Sequence, residues 1–250
     1  MINAVRSEWI KMRTVRMNWV LVIIAIAFPL VVSTLTAALA NDLDARDLLE
    51  VVQGTSVVTA MLLGVVGAST ITGEFGFGTI RPTFAAVPKR MVVVAAKAFV
   101  TVVVAMVTEA AVVLLCLVVS SSVATSRDFD IDLGDVPNAN PAILGIVLFA
   151  AIVSLLGLGL GLLIRSTPAA VAILILWPLV AEGIVGGVLT AAGIDQAGKW
   201  MPYNAGITMG LLDSQRGDET LSRVSAGLYF FAVTSLIGIL GSMLTNRRDA

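Results

Sequence analysis

Six apolar runs, separated by short segments of contrasting charge, fill most of the 250-residue chain. A helix needs about twenty consecutive apolar residues to cross the hydrocarbon core of a bilayer. The runs at residues 18–40, 51–72, 92–119, 142–164, 169–192 and 225–245 reach that length. Only 13% of residues are charged and 58% are hydrophobic, whereas a water-soluble domain carries about 25% charged residues. Lipid is therefore the solvent in which most of this chain folds.

Backbone N–H and C=O groups find no partners in hydrocarbon, so each crossing segment must satisfy them internally. A membrane β-barrel would show segments of roughly ten alternating residues. Residues 111–119, Ala-Val-Val-Leu-Leu-Cys-Leu-Val-Val, do not alternate. The expected fold is an all-α membrane protein with six transmembrane helices, forming a single transmembrane domain over residues 1–250.

Charge placement predicts the orientation. With a cytoplasmic N-terminus, eleven of the 16 Lys and Arg residues fall on the inner side and five on the outer. Lys/Arg bias sets topology while acids contribute little, so both termini are expected in the cytoplasm and the chain in the cytoplasmic membrane. The net charge of −1 conceals this segregation and gives no sign of nucleic-acid binding. The first run follows a basic stretch and ends near Ala38-Leu-Ala40, as a cleaved leader would. A leader's apolar region spans only about 7–15 residues, so this run is read as a retained helix. The single Cys116 leaves no intramolecular disulfide and is read as a small buried apolar residue.

Residues 1–17 are expected to form an interfacial helix lying on the membrane. At helical spacing Ile2, Val5, Trp9 and Met12 share one arc, flanked by Arg6 and Arg13, while Ser7, Glu8, Lys11 and Thr14 face away. Trp9, Arg6 and Arg13 are the expected anchors, because indole prefers the headgroup zone and basic side chains snorkel to lipid phosphates. The competing reading is a flexible basic tail.

Residues 73–90 form the longest inner loop, Gly73-Glu-Phe-Gly-Phe-Gly-Thr-Ile-Arg81 followed by Pro82 to Arg90. Its glycines permit sharp turns, and Thr79 suits the cap of a short helix with Pro82 in the first turn. Three Phe on a short basic loop fit docking to another protein or burial in the headgroup layer; composition alone leaves both open.

The segment Gly73-Glu74-Phe75-x-x-Gly78-Thr79-Ile80-Arg81 resembles the Gly-Glu-aromatic-x-x-Gly-Thr-Ile/Leu-Arg signature of ABC-2 type transporter permeases. Ser7-Glu8-Trp9-x-Lys11 is similar to that family's N-terminal elbow helix. Trp177-Pro178-Leu-Val-x-Glu182 and Met201-Pro202-Tyr-Asn-Ala205 also resemble its members. The resemblance implies a permease subunit of an ATP-binding cassette exporter, moving a hydrophobic or amphipathic substrate, with two permease copies and two ATPase subunits. It implies that residues 73–90 form the cytoplasmic coupling loop. Glu74, Phe75, Gly78, Thr79 and Arg81 would face the ATPase, which binds ATP and Mg. This chain would have no catalytic residues, metal or cofactor of its own.

Two acids fall within the runs. A carboxylate at the bilayer centre costs roughly 2.5–3.5 kcal/mol on insertion scales, so Glu109 and Glu182 are candidates for the translocation path or for gating. Pro178 already interrupts its helix, which favours a structural or gating role for Glu182; the residues around Glu109 do not decide. Gly157-x-x-x-Gly161 and Gly183-x-x-x-Gly187 fit the small-xxx-small pattern of close helix packing, more simply within one chain than at a dimer seam. Residues 194–224 are expected outside, with a re-entrant element.

Two near misses are set aside. Gly193 to Lys199 has P-loop spacing, but Trp200 stands where Ser or Thr must hold Mg²⁺. Asp128-x-Asp130-x-Asp132-x-Gly134 has its Gly one place late and Ala139 at the Glu position of a calcium loop. The chain has no His, which excludes the usual zinc motifs and a Ser-His-Asp triad. The rival functional class is a proton-coupled secondary transporter using the intramembrane carboxylates. It should show internal repeats, and none is convincing.

Overall fold

The computed structural model describes residues 1–80, 82–83, 90–194, 196–217 and 220–248, without the side chains of 246–248. The described residues are helical with no strand. A short helix α1 (Ile2–Thr14) precedes α2 (Arg16–Leu39), α3 (Ala45–Gly76), α4 (Arg90–Thr125) and α5 (Ala139–Ile164). The fifth apolar run is α6 (Thr167–Leu176), a π-helical turn (Trp177–Ala181) and α7 (Glu182–Ala191). A small helix α8 (Pro202–Ile207) and a long α9 (Arg223–Arg248) complete the chain. Six of these segments are long and apolar enough to cross a membrane.

α3 and α5 form the centre of the bundle, and small residues allow their approach. A Cβ on Gly157 would lie 1.9 Å from the Gly64 carbonyl oxygen, and one on Gly67 would lie 2.2 Å from the Ser154 oxygen. Gly161 likewise abuts Ile71 and Ala68. The Gly157/Gly161 pair therefore serves packing within the chain, as its spacing suggests. Gly183 and Gly187 have nothing within 4 Å of where a Cβ would stand, and the outer surfaces of the π-helical turn, α7 and α9 are lined by exposed Leu179, Ile184, Val188, Leu228 and Ile239.

α3 begins six residues before its apolar run, at Ala45 rather than residue 51. Its polar first turn is held by a reciprocal cap: Asp47 N–H donates to Asp44 Oδ1 (2.8 Å) and Asp44 N–H to Asp47 Oδ2 (3.1 Å). Hydropathy does not register such a cap, because it works where the helix end meets water. Inside α2, Pro29 has no N–H for the carbonyl of Ala25, four residues earlier. Thr59 of α3 supplies the missing donor, its hydroxyl bonding Ala25 O at 3.1 Å.

Residues 197–212 do not hang free between the fifth and sixth spans. Tyr203, Ala205, Gly206, Met209 and Leu212 are buried. Tyr203 meets Phe149 of α5 and Phe230 of α9 at ring distances of 5.2 and 5.9 Å. The Met209 carbonyl oxygen lies against Gly145, 1.9 Å from where a Cβ would stand.

Candidate functional site: a charged joint at the end of α3

α1 and α2 meet at a sharp corner around Val15. The corner is closed by side chains that satisfy the carbonyls left open at the end of α1. Trp19 Nε1 donates to Arg13 O (2.9 Å) and Asn18 Nδ2 to Met12 O (3.4 Å). Ser69 of α3 donates to Asn18 Oδ1 at 3.2 Å. These bonds set the roll of α1, and that roll differs from the expected one. Glu8 and Met12 are its buried residues, whereas Ile2, Arg6, Trp9 and Arg13 are exposed. Met12, expected on the lipid-facing arc, is buried, and Glu8 and Lys11, expected opposite that arc, do not simply face water. They turn into the rest of the chain, because buried partners await them there.

Those partners are Glu74, near the end of α3, and Lys97, two turns into α4. Lys97 Nζ donates to Glu8 Oε2 (2.5 Å), Glu74 Oε1 (2.9 Å) and the Thr70 carbonyl (3.0 Å). Lys11 Nζ donates to Glu8 Oε1 and Glu74 Oε1, each at 2.8 Å. All three protons of the Lys97 ammonium are used. Two cations and two anions balance, which is the condition under which buried charges persist. Burial works against the charge of Lys11, but hydrogen bonds and attraction from Glu74 and Glu8 outweigh it and hold its pKa above the usual value. A cavity of about 420 Å³ lies beside the cluster, lined among others by Lys11, Asn18, Glu74 and Phe77.

The loop motif grows directly from this joint. α3 continues to Gly76, so Gly73, Glu74 and Phe75 are helical rather than loop. Glu74 faces Lys11 and Lys97 in the interior, not the surface. Phe75 packs beneath the Arg165 guanidinium, whose central carbon is 4.6 Å from the ring centre. Arg165 stands just beyond the end of α5 and also donates to Thr245 O of α9 (3.5 Å). Thr167 Oγ1 donates to Thr72 Oγ1 at 2.7 Å, tying the start of α6 to the same place. The chain then breaks away at Phe77 and at Gly78, whose φ of +69° suits glycine. Phe77 is 88% exposed. Thr83 N–H reaches Thr79 O (3.2 Å), a helical bond of the kind expected for a helix capped at Thr79. Ile80 is buried against Ile71, Leu158 and Leu162. Arg81 and residues 84–89 lie outside the described residues.

The two intramembrane acids occupy separate environments. Glu182 opens α7, where the π-turn over Pro178 sends its N–H to Trp177 O, five residues back. Its carboxylate accepts Tyr203 N–H (2.7 Å), Asn204 N–H (2.9 Å) and Trp177 Nε1–H (3.1 Å). It thereby receives the open N–H groups of α8 from a distance of about twenty residues in sequence, and borders a small cavity with Trp177, Tyr203 and Phe230. Glu109 is fully buried on α4; Ser56 of α3 is its polar neighbour, but neither carboxyl oxygen makes a hydrogen bond of regular geometry among the described residues. Among the described residues no group of three or more His, Cys, Asp or Glu could hold a metal.

Of the residues in the charged joint, only Glu74 falls in the loop signature. Lys97 carries a further signal: a lysine well inside an apolar helix must find an anion. The sequence does not say which one.

The architecture is that of a multi-pass helical membrane protein whose α3 end is braced by charge. Residues 4–181 match the family described as ABC-2 family transporter protein. The chain belongs to that family of ABC transporter permeases, membrane transport components without a catalytic function of their own. No curated protein matches the chain.

Proposed function

We propose that this chain is the permease subunit of an ATP-binding cassette exporter, driven by a separate ATPase. Two permease copies and two ATPase subunits would make the working unit. The end bearing α1, Phe77 and both termini would face the cytoplasm, in keeping with the Lys/Arg bias. α1 would be the elbow helix at the membrane surface, with Arg6, Trp9 and Arg13 toward lipid.

One observation carries the reading beyond family membership. Phe77 projects from a base tied to α1 and α4 through Glu74–Lys11 and Glu74–Lys97, to α6 through Thr72–Thr167, and to Arg165 at the end of α5 through Phe75, with Arg165 in turn bonded to α9 at Thr245 O. A push on the loop that follows would thus be delivered to most of the bundle at once. Gly78, Thr79 and Arg81 would meet the ATPase, while Glu74 and Phe75 transmit its movement from inside the permease. The cargo would be hydrophobic or amphipathic, in keeping with spans poor in polar groups.

The test is reconstitution. Tagged permease should bring down an ATPase of Walker type, and the pair should export cargo in a vanadate-sensitive manner. Transport by the isolated permease in liposomes under a proton gradient alone would reject this function and support a secondary carrier.

A further inference from the structure

Near the middle of the α3–α4 interface four buried oxygen atoms make no hydrogen bond of regular geometry among the described residues: both carboxyl oxygens of Glu109, Ser56 Oγ and Gln53 Oε1. Ser56 adjoins the Glu109 carboxyl group. Gln53, one turn away on α3, shares with Ser56 a cavity of about 10 Å³, bordered by Phe149, by Ile207 at the end of α8 and by Gly210 just after it. That is the room one water molecule needs.

Among the described residues no cation answers this carboxyl group. α2 contributes Ser33, near Cys116 on α4 itself. α5 has no titratable residue between Ala139 and Ile164. On α4, Lys97 is twelve positions away, about 18 Å at the helical rise, and its three donors are already committed. On α3, Glu50 is six positions from Ser56, about 9 Å, and is paired with Arg46. A lone carboxylate in such a place would cost many kcal/mol and take up a proton instead.

We propose that Glu109, Ser56 and Gln53 form a buried proton-binding site, with the proton resident on the Glu109 carboxyl group. One oxygen of the carboxylate takes H⁺ from a hydronium ion and becomes O–H, while the hydronium loses one O–H bond and leaves as water. The arrangement then becomes a directed chain. The Glu109 O–H donates to Ser56 Oγ, and the Ser56 O–H donates to Gln53 Oε1, directly or through a water in the small cavity. The added proton reverses the Ser56 hydroxyl, which could otherwise donate to the ionised carboxylate, and frees its O–H for Gln53 Oε1. The inference does not depend on the exporter reading, since it concerns occupancy of the site and not what drives transport.

Infrared difference spectroscopy on the full chain with its ATPase, in lipid nanodiscs with ¹³C-labelled glutamate, tests it. At neutral pH the wild type should show one isotope-sensitive carboxylic-acid C=O band per chain. Glu109→Gln should abolish the band and Glu182→Gln should keep it, because the Glu182 oxygens already accept three N–H bonds and need no proton. Ser56→Ala should raise its frequency by removing the acceptor of the O–H. Absence of the band, its loss in Glu182→Gln, or indifference to Ser56→Ala would overturn the proposal. So would a rise in melting temperature with Na⁺ or K⁺ that Glu109→Gln abolishes in a protein lacking the band, since a metal ion would then hold the site. Should Glu109→Gln fail to fold, the labelled wild type and Ser56→Ala still decide.

Discussion

Lys97 Nζ lies 2.5 Å from Glu8 Oε2, joining residues 89 positions apart and locking the first helix onto α4. Glu74 shares the same ammonium, so one lysine holds both α1 and the end of α3. Lys97→Met should therefore leave two buried carboxylates facing Lys11 alone. Removing one partner of a buried ion pair costs roughly 3–5 kcal/mol. A large fall in melting temperature is expected. The triple change Lys97→Met, Glu8→Gln, Glu74→Gln should recover much of it, because no buried carboxylate is left uncompensated and the one remaining charge, on Lys11, is part-exposed to solvent. A triple variant as unstable as the single one would show that packing, not charge balance, governs the joint.

Phe77 separates coupling from folding. Its ring touches little of the permease, so Phe77→Ala should leave the melting temperature unchanged while lowering substrate-stimulated ATP hydrolysis severalfold. Glu74→Ala cannot make this distinction, since it also opens the charged joint. Wild-type hydrolysis in Phe77→Ala would show that this residue takes no part in the proposed coupling to an ATPase.

Lys11 gives the joint a pH signature. Its pKa is raised above the ordinary 10.5, burial opposing and the two glutamates prevailing. The folded chain thus holds this proton more tightly than the unfolded one. The stabilisation is complete below pH 10.5 and fades as pH rises through the higher folded value. The melting-temperature gap between wild type and Lys11→Met should stay level from about pH 7 to about pH 9.5 and narrow above the ordinary lysine value. A gap that closes on acidification toward neutrality would contradict this origin.

The spans are legible in the sequence because hydrocarbon imposes length and composition, and the six apolar runs follow both. Their ends are less so: Asp44 and Asp47 extend α3 by a reciprocal cap that hydropathy does not register. The roll of α1 escapes for a related reason. Helical periodicity sorts Glu8 and Lys11 with the polar face, but cannot see that Lys97 and Glu74 offer them a buried polar environment. Pro178 points to a structural or gating role for Glu182, yet the bonds of that carboxylate to Tyr203 and Asn204 depend on a chain reversal that no local pattern encodes.

Thr59→Val tests the repair of the proline break in α2. The substitution keeps the shape of the side chain but removes the hydroxyl that bonds the Ala25 carbonyl. An unsatisfied buried carbonyl costs about 1–3 kcal/mol. Combining it with Pro29→Ala, which restores a backbone donor, should bring most of the stability back. Additive losses in the double variant would mean that Thr59 does not substitute for the missing N–H.

Glu182 should matter most for the segment after it. Its carboxylate accepts two backbone N–H groups at the start of α8, and bonds to a charged acceptor are worth roughly 1.5–3 kcal/mol each. Glu182→Ala leaves those N–H groups buried and unpaired, so residues 197–212 should loosen while α3 and α5 stay packed. Hydrogen exchange reads this directly: amides 203 and 204 should exchange at least about tenfold faster, the ratio that a loss of about 1.4 kcal/mol would give, with amides in the centre of α5 unchanged. Glu182→Gln retains one acceptor oxygen and should fall between the two. Uniform acceleration across the bundle would instead make Glu182 a general support of the fold, and unchanged exchange at 203 and 204 would deny that its carboxylate holds α8.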